Sequence, residues 1–212
     1  MVEKVFSIGG SIVHDNLDRL EELAVALERD EQVLVVTGAG ELSRYQDALE
    51  DVTNKGERDL VGIKATRLHA RALSAAMDAY PGIPETADQI LEAASTGQNI
   101  VMGGLTPGYS TDAVAATAAE LLEAELYIAT TVDGVYTRHP DEEGAEKLDE
   151  VSASRLLDIV SGDNEPGSYE LVDETAVKII ERSNISTRVL EGTVENLRKP
   201  EDAPGTDIVS RD

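Results

Sequence analysis

Hydrophobic positions along this chain of 212 residues fall into two alternating patterns. Short apolar runs at 2–8, 33–36, 100–102 and 126–129 read as strands, and the unbroken run at 33–36 is what a strand covered on both faces requires. Between these runs, apolar residues recur at helical spacing, first as Leu17, Leu20, Leu23, Ala24 and Leu27 after a turn. A glycine turn then precedes a helix from about Glu41, and a longer helix covers 57–79 and stops at Pro81-Gly82. Further helices are predicted at 85–95 and 111–123. Two more, at 152–160 and 172–183, flank a polar Gly/Pro loop at 161–168, and the last strands fall near 187–190 and 207–209. Repeated strand–helix alternation predicts an α/β fold, with a mainly parallel central sheet and helices on both faces. No repeat, low-complexity linker or composition break divides the chain, so residues 1–212 are expected to form a single domain.

Composition changes this picture in a few respects. Hydrophobic residues make up 41%, enough for a substantial core, but there is one Phe and no Trp, so that core must be mostly Val, Ile, Leu and Ala. Forty-two acidic residues against eighteen basic ones leave a formal net charge of −24. Such a surface repels nucleic acid and anionic membranes, and neither is expected as a partner. The acids are dispersed rather than gathered in a tail, which suits a high-salt cytoplasm where their repulsion is screened. The chain has no Cys, which removes disulfides, thiolate catalysis and zinc–thiolate sites. MVEKVFSIGG reads as a charged strand start rather than a signal peptide, and no apolar run reaches transmembrane length. A soluble, cytoplasmic chain is expected.

Three strand ends share one design, a glycine turn after an apolar run and then a helix start: SIGGS (Ser7, Ile8, Gly9, Gly10, Ser11), TGAGELSR and MGGLTPGYSTD. Ligands of open α/β sheets bind beyond the carboxyl ends of the strands, so these loops are expected to share a crevice. Glycine lets backbone N–H groups approach a phosphate, and the helix opened by Ser110, Thr111 and Asp112 presents free N–H groups to an anion. Neither a Walker A sequence nor a GxGxxG fingerprint is present. Arg44 lies one helical turn after the TGAG loop, either folding back onto the same anion or pairing with Glu41 or Asp47. Lys64, Arg67 and Arg71 share a helix face, and serve either phosphate or a neighbouring acidic surface. Asp59 reads as a helix-start acid or a ribose ligand, and Tyr136 as a base-stacking ring or loop packing. His14, His69 and His139 lack metal-ligand spacing, so no protein metal site is predicted.

SIGGS, TGAGELSR, DLVGIKATRLHA, GGLTPGYSTDAVAA and TTVDGVYTRHP stand in the order and spacing of the amino-acid-kinase superfamily, and the chain most resembles its archaeal uridylate-kinase branch. The resemblance implies a three-layer α/β/α sandwich, the amino-acid-kinase fold, that transfers the γ-phosphate of ATP to UMP with Mg²⁺, and a homo-oligomer, a hexamer. It implies that Ser7, Ile8, Gly9, Gly10 and Ser11 surround the ATP phosphates and that Gly40 and Arg44 contact phosphate. Thr130, Tyr136 and His139 would border the adenine nucleotide. Ala39, Asp59, Thr106, Pro107, Gly108, Tyr109, Ser110, Thr111 and Asp112 would line the UMP site, with Asp59 on the ribose and Asp112 and Arg44 closest to the chemistry.

Four departures from the family pattern stand out. Ser7 occupies a position where many superfamily members have a lysine, Ala39 replaces the middle glycine of a Gly-Gly-Gly loop, Glu41 sets an acid beside phosphate, and His139 replaces Asp. In-line transfer between two bound nucleotides rests on positioning and charge neutralisation, so the site needs neither a lysine nucleophile nor a histidine base. The alternatives are another small-molecule kinase of the superfamily, and a nucleotide-binding relative that does not catalyse.

Overall fold

Residues 1–161 and 171–209 are described by a computed structural model, and side-chain alternation along its strands sorts the core into two layers. In order, the chain forms β1 (Val2–Ile8), α1 (Gly10–Asp15), α2 (Leu20–Leu27), β2 (Gln32–Thr37), α3 (Arg44–Asp47), α4 (Lys55–Ala76), α5 (Ala87–Ala94) and β3 (Ile100–Met102). There follow α6 (Thr111–Leu122), β4 (Glu125–Thr130), β5 (Glu150–Ser152), α7 (Ala153–Ser161), α8 (Glu174–Ser183), β6 (Thr187–Glu191), α9 (Val194–Arg198) and β7 (Gly205–Val209). The seven strands among the described residues run in the order β3-β2-β1-β4-β6-β7-β5. All neighbours are parallel except β6 and β7.

Successive strand residues point to opposite faces. Phe6, Ile8, Val33, Val35, Val101, Tyr127 and Ala129 pack under α1, α2, α4 and α9. Val5, Leu34, Val36, Ile100, Met102, Leu126 and Ile128 pack under α5, α6, α7 and α8. The result is helices over both faces of a mixed, mostly parallel sheet. β2 is buried at every position, as its apolar run requires. Phe6 is fully buried and stacks on Tyr127 at 5.3 Å between ring centroids, so the chain's single Phe anchors the α2 side. Because Ser7 follows Phe6, it faces the opposite layer, toward α6.

The elements differ from the sequence expectation mainly at their ends. The turn expected after β1 is the helix α1, and residues Leu17–Arg19 form a 3-10 turn before α2 begins. The helix expected from about Glu41 is a 3-10 turn, Gly40–Ser43, followed by the single turn of α3. The long helix ends at Ala76, short of Pro81, because the chain then joins the sheet edge: Ala79 bridges Asn99 and the Tyr80 N–H donates to the Asn99 carbonyl at 2.7 Å. Residues 150–152 form β5, where the sequence suggested loop and helix start, and α9 had no sequence expectation. The predicted Gly/Pro loop lies, after Ser161, outside the described residues. Among the described residues no helix is long and apolar enough to cross a membrane.

Candidate active site

β1, β2, β3, β4 and β6 are parallel, so their carboxyl ends share one edge of the sheet and their following loops meet there. The meeting is closer than the sequence reading assumed. A Cβ on Gly10 would lie 1.9 Å from the Gly40 nitrogen, and one on Gly40 would lie 2.4 Å from the Gly10 carbonyl carbon. Gly40 also has φ +52°, a left-handed conformation that favours glycine. These two glycines are therefore consumed by loop-on-loop packing. Ala39, between them and the cavity, has an ordinary helical backbone (φ −81°, ψ −30°), so its methyl costs no strain.

One turn of α4 fixes the other glycine loops. Thr66 Oγ1 accepts from the Gly104 N–H at 2.7 Å and donates to the Ile63 carbonyl at 2.8 Å. Arg67 Nε donates to the Gly104 carbonyl at 3.1 Å, and the Thr37 hydroxyl donates to the Thr66 carbonyl at 2.9 Å. His69, almost wholly buried, donates from Nδ1 to the Gly38 carbonyl at 2.9 Å. Thr66 and His69 thus hold two loops from one helix face. Neither was singled out for this from the sequence, where His69 was weighed only as a metal ligand. Of the Lys64–Arg67–Arg71 face, Arg67 pairs with Glu85 (2.5 Å) and Arg71 donates to the Pro81 carbonyl (2.8 Å), which is the structural reading of that face.

Between α4 and the loop after β3 lies a cavity of about 310 Å³. Its walls include Ala39, Asp59, Thr106, Gly108, Tyr109, Ser110 and Thr111 from the sequence-predicted set, together with Gln46, Lys55, Gly62, Ile63, Thr66 and Gly104. Pro107 and Asp112 stand outside that lining. Asp59 is not the helix cap: Asn54 caps α4 by accepting from the Glu57 N–H (3.0 Å), while Asp59 accepts from the Gly108 N–H (2.8 Å). Ser110 caps α6, its Oγ accepting from the Ala113 N–H at 3.0 Å, so the first turn of α6 opens beside the cavity.

Ser7 and Asp112 meet across the layers: the buried Ser7 hydroxyl donates to Asp112 Oδ1 at 2.5 Å. Burial pushes the Asp112 carboxyl up to about 6, the Ser7 hydroxyl pulls it back, and the charge of Asp173 adds to the push. Asp173 caps α8 by accepting from the Thr175 and Ala176 N–H groups, and also accepts from the Ser110 hydroxyl. Asp173 is a site residue that sequence reasoning missed, since VDETAVKII reads only as a capped helix start. Two carboxylates thus stand at the junction of the β1, α6 and α8 termini, a donor chemistry that suits a divalent cation carried on phosphates.

Farther along the same edge, Thr130 ends β4 and its carbonyl accepts from the Gly192 N–H at 2.8 Å. The Tyr136 hydroxyl donates to Asp133 Oδ1 at 2.8 Å, and Lys147 pairs with the other oxygen at 3.1 Å. His139 Nδ1 accepts from the Asp141 N–H at 3.3 Å. These three residues do not line the cavity beside α4; Thr130 ends β4, next to β1 in the sheet, and Tyr136 and His139 lie on the chain that follows it. Arg44 is exposed, and pairs with neither Glu41 nor Asp47.

The fold and this edge define a class, and comparison agrees. Residues 3–191 match the amino acid kinase family, and the chain belongs to it. Within that family it is similar to the uridylate kinase of Methanococcoides burtonii, 44% identical over 89% of this chain and 86% of that one. It is likewise similar to the uridylate kinase of Methanothrix thermoacetophila, 42% identical over 97% and 99% of the two chains. The crystal structure of uridylate kinase from Archaeoglobus fulgidus superposes with a TM-score of 0.88 at 36% identity, covering 98% of this chain and 100% of that one.

Proposed function

We propose that the chain is a uridylate kinase that transfers the γ-phosphate of ATP to UMP, giving UDP and ADP. The observation that carries this reading is the cavity itself. A carboxylate (Asp59), a capped helix start (Ser110, Thr111) and Ala39 surround a volume suited to one nucleoside monophosphate, in a chain similar to uridylate kinases over nearly its whole length. Asp59 would hold the ribose. Thr106, Pro107, Gly108, Tyr109, Ser110, Thr111 and Ala39 would enclose the rest of UMP.

A phosphate oxygen of UMP attacks the γ-phosphorus of ATP in line, and the bond from that phosphorus to the bridging oxygen breaks as ADP leaves. A phosphate monoester near neutral pH is already largely a dianion, so no base is needed. The chain's residues supply position and neutralisation. The Gly9 N–H is given to the Ala129 carbonyl and Ile8 belongs to the β1 ladder. The backbone N–H groups of Gly10, Ser11 and Gly40 with the Arg44 guanidinium would therefore receive the phosphates, and Thr130, Tyr136 and His139 would border the adenine nucleotide. Mg²⁺, carried on the nucleotide, would neutralise phosphate oxygens; Asp112 and Asp173 fit as the carboxylates that orient it. Ser7 donates to Asp112 and so orients that carboxylate where many relatives place a lysine.

A coupled assay with ATP and Mg²⁺ across UMP, dUMP and CMP tests the reading. UDP formation with UMP as preferred acceptor is expected. UMP binding by calorimetry without UDP formation, at high and low salt, would overturn it in favour of a non-catalytic relative. The remaining expectations are a cytoplasmic homohexamer, read by light scattering and fractionation, and an acidic surface adapted to high salt. Full stability in low salt would contradict that adaptation.

A further inference from the structure

Gln46 stands on the last turn of α3 and lines the cavity, yet its side-chain amide has no hydrogen-bond partner among the described residues. Its seat is Gly62 of α4: a Cβ there would lie 2.4 Å from the amide carbon and nitrogen and 2.5 Å from the amide oxygen. Glycine in mid-helix weakens the helix, so an amide laid flat over Gly62 is a placement held against helix propensity. Along α4, Gly62 is three residues from Asp59 and four from Thr66, rises of about 4.5 and 6 Å. The amide therefore sits between the Asp59 carboxylate and the inner end, where Thr66 holds Gly104. Asp59 has already given Oδ2 to the Gly108 N–H, which leaves Oδ1 for a ligand.

We propose that Gln46, seated on Gly62, reads the 2′-hydroxyl of the acceptor ribose and so makes the enzyme prefer ribonucleotide to deoxyribonucleotide. A hydroxyl is both donor and acceptor, and a neutral amide offers both in return. The proposal rests on the reading of Asp59 as ribose ligand. A site built to bond a hydroxyl discriminates against the analogue that lacks it, because the amide is then left unpaired.

Kinetics of the full-length enzyme with UMP and dUMP test this at saturating ATP. Gln46→Met keeps the length and removes both polar atoms; Gly62→Ala displaces the amide while favouring the helix, so it guards against loss of fold. In both, kcat/KM for UMP is expected to fall about fivefold and that for dUMP less than about twofold. Equal losses on the two acceptors, or no loss on either, would overturn the proposal. Asp59→Asn run in parallel separates the two readings. If it narrows the UMP/dUMP ratio and the Gln46 variants do not, only Gln46 is misassigned; if none of the three narrows it, the ribose reading has failed as well.

Discussion

The two ends of the sheet treat cations differently. At the amino-terminal edge the cations that reach the sheet, Lys4, Arg29 and Arg188, are spoken for. Lys4 bridges Glu31 (2.9 Å) and Glu201, Arg188 pairs with Asp207 (2.5 Å), and Arg29 donates to the Ala26, Glu28 and Leu197 carbonyls while lying over the Phe6 ring. At the carboxyl edge Arg44 and Lys55 have no carboxylate partner among the described residues. A chain with eighteen cations and forty-two acids has carboxylates to spare for both. At the carboxyl edge Arg58 and Lys147 do pair, with Glu50 and Asp133, but Arg44 and Lys55, left apart, fit a site that receives phosphate, whereas paired cations fit a closed seam. The carboxylates follow the same division: Glu31 and Glu201 face cations, while Asp112 faces another carboxylate and a hydroxyl.

The largest break in this comparison is expected from Asp112→Asn, with opposite effects on activity and stability. Turnover should fall by about a hundredfold or more, since the variant removes a charge beside the transferring phosphate. Stability should rise. The Asp112 carboxyl is held near 6, above its ordinary 3.8, so the native state binds the extra proton. Native stability from this group is present at acid pH and is lost as pH climbs through that interval, a cost at pH 7 of at most about 3 kcal/mol. Thermal unfolding at pH 7 should therefore shift up by a few degrees in the variant, with little difference between the two proteins at pH 4. A drop in melting temperature at pH 7 would show that the carboxylate is a structural partner instead.

Arg44→Ala comes next. Loss of a charge-assisted contact to phosphate should lower kcat/KM about 30-fold, with the melting temperature unchanged because the side chain is exposed. Unchanged kinetics would make Arg44 a surface residue. Asp59→Asn should raise KM for UMP about tenfold and KM for ATP less than twofold. Equal effects on both would contradict its placement at the acceptor.

The strands and the loops of the receiving edge were readable in the sequence, though for uneven reasons, and the paired edge was not. Strands such as β2 announce themselves because burial on both faces demands an unbroken apolar run. The loop GGLTPGYSTD was readable because a Ser at a helix start is a local cap. The roles of Gly10 and Gly40 were not readable, because each is required by a backbone thirty residues away rather than by a ligand. Thr66, His69 and Asp173 were missed for the same reason: their partners are carbonyls, amides and hydroxyls brought near by sheet order. Helix ends were misplaced where a tertiary contact intervened, as when Asn99 draws Ala79 and Tyr80 out of α4 into the sheet.

The smallest catalytic effect should come from the paired edge. Lys4 is mostly buried between Glu31 and Glu201, with 15% of its side chain exposed. Lys4→Met keeps much of the apolar stem but leaves two carboxylates facing one another with only the Arg29 charge, beyond hydrogen-bond reach, to offset them. Removing one member of a partly buried charge group is destabilising because the remaining charge stays behind. A loss of about 1–2 kcal/mol, or a few degrees in melting temperature, is expected, larger in low salt where repulsion between the two acids is unscreened. Activity at 25 °C should change less than twofold, since the residue lies at the opposite end of β1 from Ser7. If Lys4→Met instead raised KM for either nucleotide while leaving stability intact, the division of the sheet into a closed edge and a receiving edge would fail.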